Sequence, residues 1–451
     1  MIEIRAVGGY NCIGKNMTAI KVDDDVVILD MGLHLDNYIR YTEQEEEDII
    51  KISAADLLRA GAIPDDSVIK DWRGNVKAII PTHAHLDHVG ALIFLANKYD
   101  APILCTPFTR EVIKAIARDE EIKIRNEIKT LNVNSIYRIS NDLSIEFINV
   151  THSTPQTVMV ALHTKEGIIL YANDFKFDNH PTLGKKPDYE KLEELGNKGV
   201  LALICDSTGA KRDIKTPSEM VAKEMLKDVM LGTGNKDNAV IVTTFASHLA
   251  RLKSIVEFGK KMNRKIVFLG RSLAKYVKAG ENIGIIDFSR DVEIVSFGSK
   301  IGKKLRKIEK DGRSSYLLVV TGHQGEPKAT LSKMVDKKLP FKFFPEDHVI
   351  FSCTVIPSEI NKSNREMIER KLKESHVRIF KDIHASGHAS REDLRDLINL
   401  VKPEHIIPAH GEEDMKRALA DLAIEKGYSA DNVHLINDGE KLVLQNSKAY
   451  K

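Results

Sequence analysis

Cysteine is scarce in this sequence. The four present, Cys12, Cys105, Cys205 and Cys353, are scattered over 451 residues and form no C-x-x-C pair. That argues against a disulfide framework or a thiolate zinc site, and it makes a reducing cytoplasm the expected compartment. Net charge is nearly absent as well, at +2, so any nucleic-acid contact has to come from a local groove and not from a globally basic surface. No apolar run is long enough to span a membrane. Residues 1–30 lack the basic start and apolar core of a signal peptide, and no internal repeat or low-complexity tract is found. What is there is a chain composed to fold, 42% hydrophobic and 29% charged. Its length exceeds a single ordinary core and predicts two or three domains.

The amino-terminal part reads as short strands, MIEIRAVG, MTAIKVD and DVVILDMG, separated by Gly or Asp turns. The acidic stretch DNYIRYTEQEEEDIIKIS predicts an irregular or helical excursion. VKAIIPT reads as a buried strand and LDHVGALIFLANKY as one mostly buried helix. PILCTP, SIEFINVTHS, GIILYANDFKF and VLALICDSTGA are further strands that end in polar residues. From about residue 210 the texture becomes β–α alternation, as in NAVIVTTFASHLARLKSIVEFGKKM and KIVFLGRSLAKYVKAG, which predicts a separate α/β domain to about residue 372. The last part returns to strand–loop–helix–strand form with histidines at strand ends, so the second domain reads as an insertion.

Between VKAIIPT and the following helix lies PTHAHLDHVG, with three histidines and an aspartate in an H-x-H-x-D-H run, His83, His85, Asp87 and His88. Such density of ligating groups at a strand-to-helix turn points to metal. Zinc takes imidazole and carboxylate ligands, and two zinc ions about 3.5–4 Å apart can clamp a phosphate and share one activated hydroxide. His152, Asp174 and His410 all follow apolar strands and complete a ligand set. Alternate residues at a strand end share a face, so His83 and His85 are expected to hold one metal with His152. Asp87 and His88 would hold the second with His410, and Asp174 would bridge.

THAHLDH, then His152, then Asp174, with Asp30 in VVILDMG, resembles the motif series of the metallo-β-lactamase superfamily. DSTGA with Asp206, SGHAS with His388 and PAHGE with His410 resemble the motifs of its β-CASP subgroup. TFASHLAR, LGRSL, TGHQGEP and DIHASGH together resemble the archaeal type of the ribonuclease J family, and the match runs over nearly the whole chain. The resemblance implies an α/β fold, a metallo-β-lactamase αββα sandwich with an inserted β-CASP domain. Its parts would be 1–209, the insertion 210–372, and 373–451. It implies a zinc-dependent 5′–3′ exoribonuclease acting on single-stranded RNA and preferring 5′-monophosphate ends. Two Zn²⁺ are expected per chain, with Mn²⁺ or Mg²⁺ substitution open.

The resemblance further implies that Asp30 supports the metal loop by hydrogen bonding and does not ligate. His388 would be the general acid, oriented by Asp206, and Asp87 would orient the attacking hydroxide. Hydroxyls, amides and a guanidinium at strand-to-helix turns suit phosphate recognition. RNA contact is accordingly expected at Ser247, His248, Arg271 and Ser272, and at His384, Ala385, Ser386, Gly387 and His388, in a cleft between the domains. The resemblance places recognition of the 5′ phosphate near Ser386, Gly387 and His388, with His384 and Ser247 close by. Single-stranded RNA is the expected partner, with no membrane, and a homodimer and other RNA-decay proteins stay open. The chain stops soon after GEKLVLQNSKAYK, as in the archaeal type and unlike the bacterial enzymes. His323 stands where those enzymes usually carry a small residue, so structural and RNA-facing roles are both open. The alternatives are a β-CASP endonuclease of RNA 3′-end processing, a DNA nuclease, a small-molecule metallo-hydrolase and a metal-dead RNA-binding protein. The long insertion argues against the third and the complete ligand set against the fourth.

Overall fold

The computed structural model describes residues 1–44 and 52–444. The chain divides into two compact units. The first comprises 1–179, 185–216 and 387 onward, and the second 180–184 and 217–386. The sequence alone placed the insertion between residues 210 and 372. The structure keeps the chain in the second unit beyond that point, because strand Arg378–Phe380 adds in parallel to the edge of that unit's sheet.

The first unit holds a seven-stranded and a six-stranded sheet. Their facing sides form one core, with Ile4, Val27, Leu29 and Ile80 from one sheet against Phe147, Val160, Tyr171 and Ile204 from the other. The second sheet is apolar on both faces, and its strands alternate except where Leu201 and Ala202 both turn to the central core at a register shift. In Ile168–Ala172, Ile169 and Tyr171 enter the central core, whereas Ile168, Leu170 and Ala172 face an outer layer. That layer consists of the helices Tyr189–Lys198, Arg391–Val401 and Glu413–Glu425. Strands covered on both sides read as continuous apolar runs, which is why VLALICD was legible as a strand.

The parallel strands Asp25–Leu29 and Val76–Ile80 of one sheet, and Ile168–Ala172, Val200–Asp206 and His405–Ala409 of the other, each run into the polar residues of interest. The expected single helix after the histidine run is broken. It forms turns at Leu86–Val89 and Leu92–Leu95 and a 3₁₀ turn at Ala96–Lys98. The break has a hydrogen-bond cause. The Asp87 carbonyl, which a continuous helix would pair with the Ala91 amide, accepts from the backbone and side-chain amides of Asn16 instead. The Ala91 amide donates to the Met31 carbonyl at 3.0 Å. Gly32 makes this docking sterically feasible, since a Cβ there would fall 1.6 Å from the Asp87 carbonyl oxygen. The acidic stretch begins with helix Leu35–Gln44, and its part over 45–51 lies outside the described residues.

The second unit is built on a six-stranded sheet whose strand pairings are all parallel. Its strand-to-helix turns therefore collect at the carboxyl ends of the strands, as usual in β–α folds. Among the described residues no helix is long and apolar enough to cross a membrane.

Candidate metal centre

Two donor clusters share one carboxylate. His83 Nε2 and His152 Nε2 each lie 3.4 Å from Asp174 Oδ2. His85 Nδ1 lies 3.1 and 3.0 Å from those same two ring nitrogens. On the other side of the carboxylate, His88 Nε2 and His410 Nε2 lie 3.2 and 3.3 Å from Asp174 Oδ1. Asp87 Oδ2 completes that group at 3.7 and 3.8 Å from the two histidines. Ligands held at about 2.0–2.1 Å around a tetrahedral ion stand roughly 3.3 Å apart, so both clusters have the spacing of a cation's ligand set. Both Asp174 oxygens and His410 Nε2 are buried without a hydrogen-bond partner. Orphaned acceptors inside a protein are costly unless an ion satisfies them. The donors thus fit a metal, and their imidazole-rich chemistry fits zinc better than magnesium.

The convergence of His83 and His85 does not come from strand alternation, as expected from the sequence. The strand ends at Ile80, and both residues lie in the bend that follows. The backbone at three site residues is left-handed, with φ 59° at Asp30, 48° at Asp174 and 52° at His410. Each sits at or just beyond a strand end, where the chain turns sharply to aim a side chain inward. Such conformations cost of order 1–3 kcal/mol in a residue other than glycine and persist where the surroundings impose them. Here the Asp30 amide donates to the Ile80 carbonyl at 3.0 Å and the His410 amide to the Gly9 carbonyl at 2.7 Å.

A layer of hydrogen bonds fixes which ring nitrogen His88, His152 and His410 present. Asp30, fully buried, accepts from His88 Nδ1 at 2.8 Å, from the Thr82 amide at 2.7 Å and from the Tyr171 hydroxyl at 3.1 Å. His152 Nδ1 donates to the Gly387 carbonyl at 2.7 Å and His410 Nδ1 to Asn16 Oδ1 at 2.8 Å. In each case the outer nitrogen carries the proton and Nε2 faces the cluster, as ligating histidines require. Asn16, Thr82, Tyr171 and Gly387 thus belong to the centre. Sequence reasoning assigned Gly387 only to RNA and missed the other three. No spacing signal marks them, because their roles exist only across the fold. A Cβ at Gly387 would lie 2.8 Å from the His152 ring, so glycine is what permits that carbonyl to reach it.

Burial drives His85 and His152 well below the usual histidine range, with the neighbouring imidazoles adding to the effect. His83 is lowered by burial and by His88. Burial opposes charge at His88 too, but Asp174, Asp30 and Asp87 outweigh it and raise that group well above the usual range. Asp174 is held well below the ordinary carboxylate range, since His88, His410 and His388 overcome its desolvation.

Beside the clusters, His388 Nδ1 donates to Asp206 Oδ2 at 2.8 Å, and its Nε2 lies 3.8 Å from Asp174 Oδ2. Asp206 is itself held by the Thr208 amide and hydroxyl at 2.8 and 2.7 Å. Burial disfavours the imidazolium, but Asp174 and Asp206 reverse this and raise His388 to about 9. The structure therefore brings together Asp30, His83, His85, Asp87, His88, His152, Asp174, Asp206, Gly387, His388 and His410.

The other predicted residues lie in the second unit. Ser247 sits in the turn between strand Val240–Thr243 and helix Leu249–Lys261, next to His248, which caps that helix. The His248 ring is buried, accepting from the Arg251 amide at 3.3 Å with its Nε2 3.3 Å from Glu219. Arg271 and Ser272 open helix Arg271–Asn282 directly after Gly270, whose φ is 147°. His384, Ala385 and Ser386 follow strand Arg378–Phe380. His323 packs its ring 4.2 Å from Phe245, while its carbonyl accepts from Arg365 at 2.8 Å.

Two histidine-rich donor clusters sharing a carboxylate, in an αββα sandwich, define a hydrolase of the metallo-β-lactamase superfamily, and the model of that superfamily matches residues 11–202. A ribonuclease J β-CASP domain matches 237–370, and a Zn-dependent metallo-hydrolase RNA specificity domain matches 376–435. The chain is 43% identical to ribonuclease J of Methanocaldococcus jannaschii, over 98% of each chain. It is 44% identical to ribonuclease J of Pyrococcus abyssi, over 95% of this chain and 94% of that one. Ribonuclease J 1 of Streptococcus pyogenes is 30% identical over 99% of this chain and 75% of its own length. The chain belongs to the ribonuclease J family. A crystal structure of a protein of unknown function from Enterococcus faecalis shares the fold, with a TM-score of 0.64 at 17% identity, over 98% of this chain and 100% of that one.

Proposed function

We propose that, within the RNA-processing nuclease activity of its family, this chain is a zinc-dependent 5′–3′ exoribonuclease that prefers 5′-monophosphate single-stranded RNA. The observation that carries the reading is the pair of donor clusters sharing Asp174, with the His388–Asp206 pair against it. His83, His85, His152 and Asp174 would hold one zinc, and Asp87, His88, His410 and Asp174 the other. Zinc at these positions supplies Lewis acidity, neutralising phosphate charge and making hydroxide available near neutral pH. Asp87 is the more accessible carboxylate, 17% exposed against 1% for Asp174, and it orients the attacking water. His388, kept protonated by Asp206 and Asp174, gives its Nε2 proton to the departing 3′ oxygen. Asp206 holds the imidazole in the tautomer that this transfer needs.

Ser247, Arg271 and Ser272 are assigned to backbone phosphates, with His248 shaping the turn that presents Ser247. The segment 384–388 is assigned to the terminal phosphate, through its hydroxyl, imidazole and backbone donors. A hydroxyl end would leave those donors unpaired, which costs binding energy. Digestion of end-labelled RNA and matched DNA, carrying 5′-phosphate, triphosphate or hydroxyl ends, tests the reading. Mononucleotides released from the 5′ end of monophosphorylated RNA are expected. Loss from the 3′ end, or indifference to the 5′ group, overturns the direction and the end preference. Internal cuts would favour the endonuclease alternative.

A further inference from the structure

Helix Gly298–Asp311 in the β-CASP unit has a divided surface. Ile301, Leu305 and Ile308 are buried in that unit's core, where Phe341 also packs. Lys300, Lys303, Arg306, Lys307 and Lys310 point to solvent, and none of the five makes an ion pair among the described residues. Lys304 is engaged by Glu293. The two acidic residues of the helix are occupied: Glu309 is 3.6 Å from Arg313, and Asp311 accepts from the Tyr316 hydroxyl at 3.0 Å. The outward face is therefore a run of uncompensated cations roughly 15 Å long, on a chain whose net charge is only +2.

Each end of this run carries an exposed aromatic ring. Phe297, immediately before the helix, is 58% exposed with Lys300 Nζ 5.7 Å from its ring. Phe344 is 41% exposed beside Arg313, at 4.7 Å, and Lys342, at 5.2 Å. Arg313 also donates to the Lys342 carbonyl at 2.6 Å, which joins that corner to the end of the helix. At the other end the strand leading into Phe297 touches the Arg271 turn, because the Gly270 amide donates to the Val295 carbonyl at 3.0 Å.

We propose that this helix and its two flanking phenylalanines form an accessory track for single-stranded RNA, extending from the Arg271 turn. Cations that follow a backbone, with rings on which unpaired bases stack, are the two components of sequence-tolerant single-strand binding. A lipid surface is the poorer match, since a membrane-bound helix must offer its apolar face and this one has buried it. The inference rests on the ribonuclease reading and adds a binding surface to it.

The test compares the wild type with two variants, each holding zinc and each checked for unchanged thermal unfolding. One is Lys300→Gln/Lys303→Gln/Lys307→Gln/Lys310→Gln and the other Phe297→Ala. Affinity is measured on a cleavage-resistant 2′-O-methyl RNA in a short form that fills only the catalytic centre and in a form several-fold longer. Turnover is measured on the short cleavable RNA. For the quadruple variant, the long RNA should bind more weakly, and its slope of log affinity against log salt should fall by about 0.7 for each phosphate that the lysines no longer neutralise. Phe297→Ala should weaken the long RNA about five-fold or more through lost stacking, with the salt slope kept. Short-RNA affinity and turnover should not change in either. Equal loss on short and long RNA, or no loss on the long one, overturns the track. So does retained RNA affinity with lost binding to anionic vesicles. A wild type that binds the long RNA through this helix yet cuts no RNA would leave the track standing and overturn the ribonuclease reading.

Discussion

His388 and Asp30 show how differently two polar residues serve one centre. His388 is 28% exposed, with one nitrogen on Asp206 and the other turned toward Asp174. His388→Ala should leave zinc content unchanged and cut turnover on the order of 10²–10⁴-fold, the usual worth of a general acid. Metal analysis beside single-turnover kinetics checks both halves, and near-normal turnover would make His388 structural. Asp30 is fully buried and reaches the ligands only through His88 and Thr82. Asp30→Asn keeps the shape and tolerates the left-handed backbone, but loses the charge that holds His88 Nδ1–H. Zinc affinity should fall about 10–100-fold, as for other outer partners of ligating histidines. Competition against a chelating dye reads this directly, and an unchanged affinity would remove Asp30 from the centre.

At the scale of elements, helices Glu219–Gly232 and Leu249–Lys261 of the second unit are joined by a buried ion pair. Arg251 donates to both oxygens of Glu219 at 2.6 and 2.8 Å, and further to the Ser352 and Ile383 carbonyls, both at 2.9 Å. Burial disfavours the Glu219 carboxylate, but His248 and Arg251 outweigh it and hold its pKa far below the usual carboxylate range. A depressed folded-state pKa contributes stability that is complete above the unfolded value, about 4.3, and lost as pH falls below it toward the folded value. Glu219→Gln should therefore destabilise this unit by about 3–5 kcal/mol at neutral pH, since Arg251 is left buried without its counter-charge. The deficit should shrink in acid. Denaturant unfolding of both proteins at pH 7 and pH 3 tests it, and a deficit that does not depend on pH would assign the loss to packing.

For the whole molecule, a metal held by the candidate centre would couple binding to folding. Its donors come from segments as far apart in sequence as His83 and His410, and no unfolded chain assembles them. A cation bound only by the native state stabilises it by about 2.7 kcal/mol at a hundred-fold excess over its dissociation constant. Zinc should therefore raise the unfolding temperature of the first unit, and chelation should lower it and abolish cleavage together. Asp174→Asn should remove the zinc-dependent shift, because the shared carboxylate serves both clusters. Asp174, Asp30 and Asp87 favour the protonated form of His88 and a ligating imidazole has to be neutral, so proton release on zinc addition is expected. Calorimetry in buffers of different ionisation enthalpy measures that release. A zinc-independent unfolding temperature would rule out the coupling.

Most of the strands, the alternation of the inserted unit and the donor types can be read from the residues alone. Buried strands are written as apolar runs, and H-x-H-x-D-H has few uses other than metal. Even the later donors of the two clusters were legible, since His152, Asp174 and His410 each follow such a run. How those donors are held depends on contacts made across the fold. The break after Val89 depends on Asn16 and Met31 taking up groups that an isolated helix would pair internally. The tautomers of His152 and His410 depend on Gly387 and Asn16, each hundreds of residues away in the chain. The chain's passage back from the inserted unit was placed by the edge strand Arg378–Phe380, too short and too half-buried to stand out in the sequence. Periodicity records what one segment does with its own neighbours, whereas a hydrogen bond between distant segments leaves no pattern in either one.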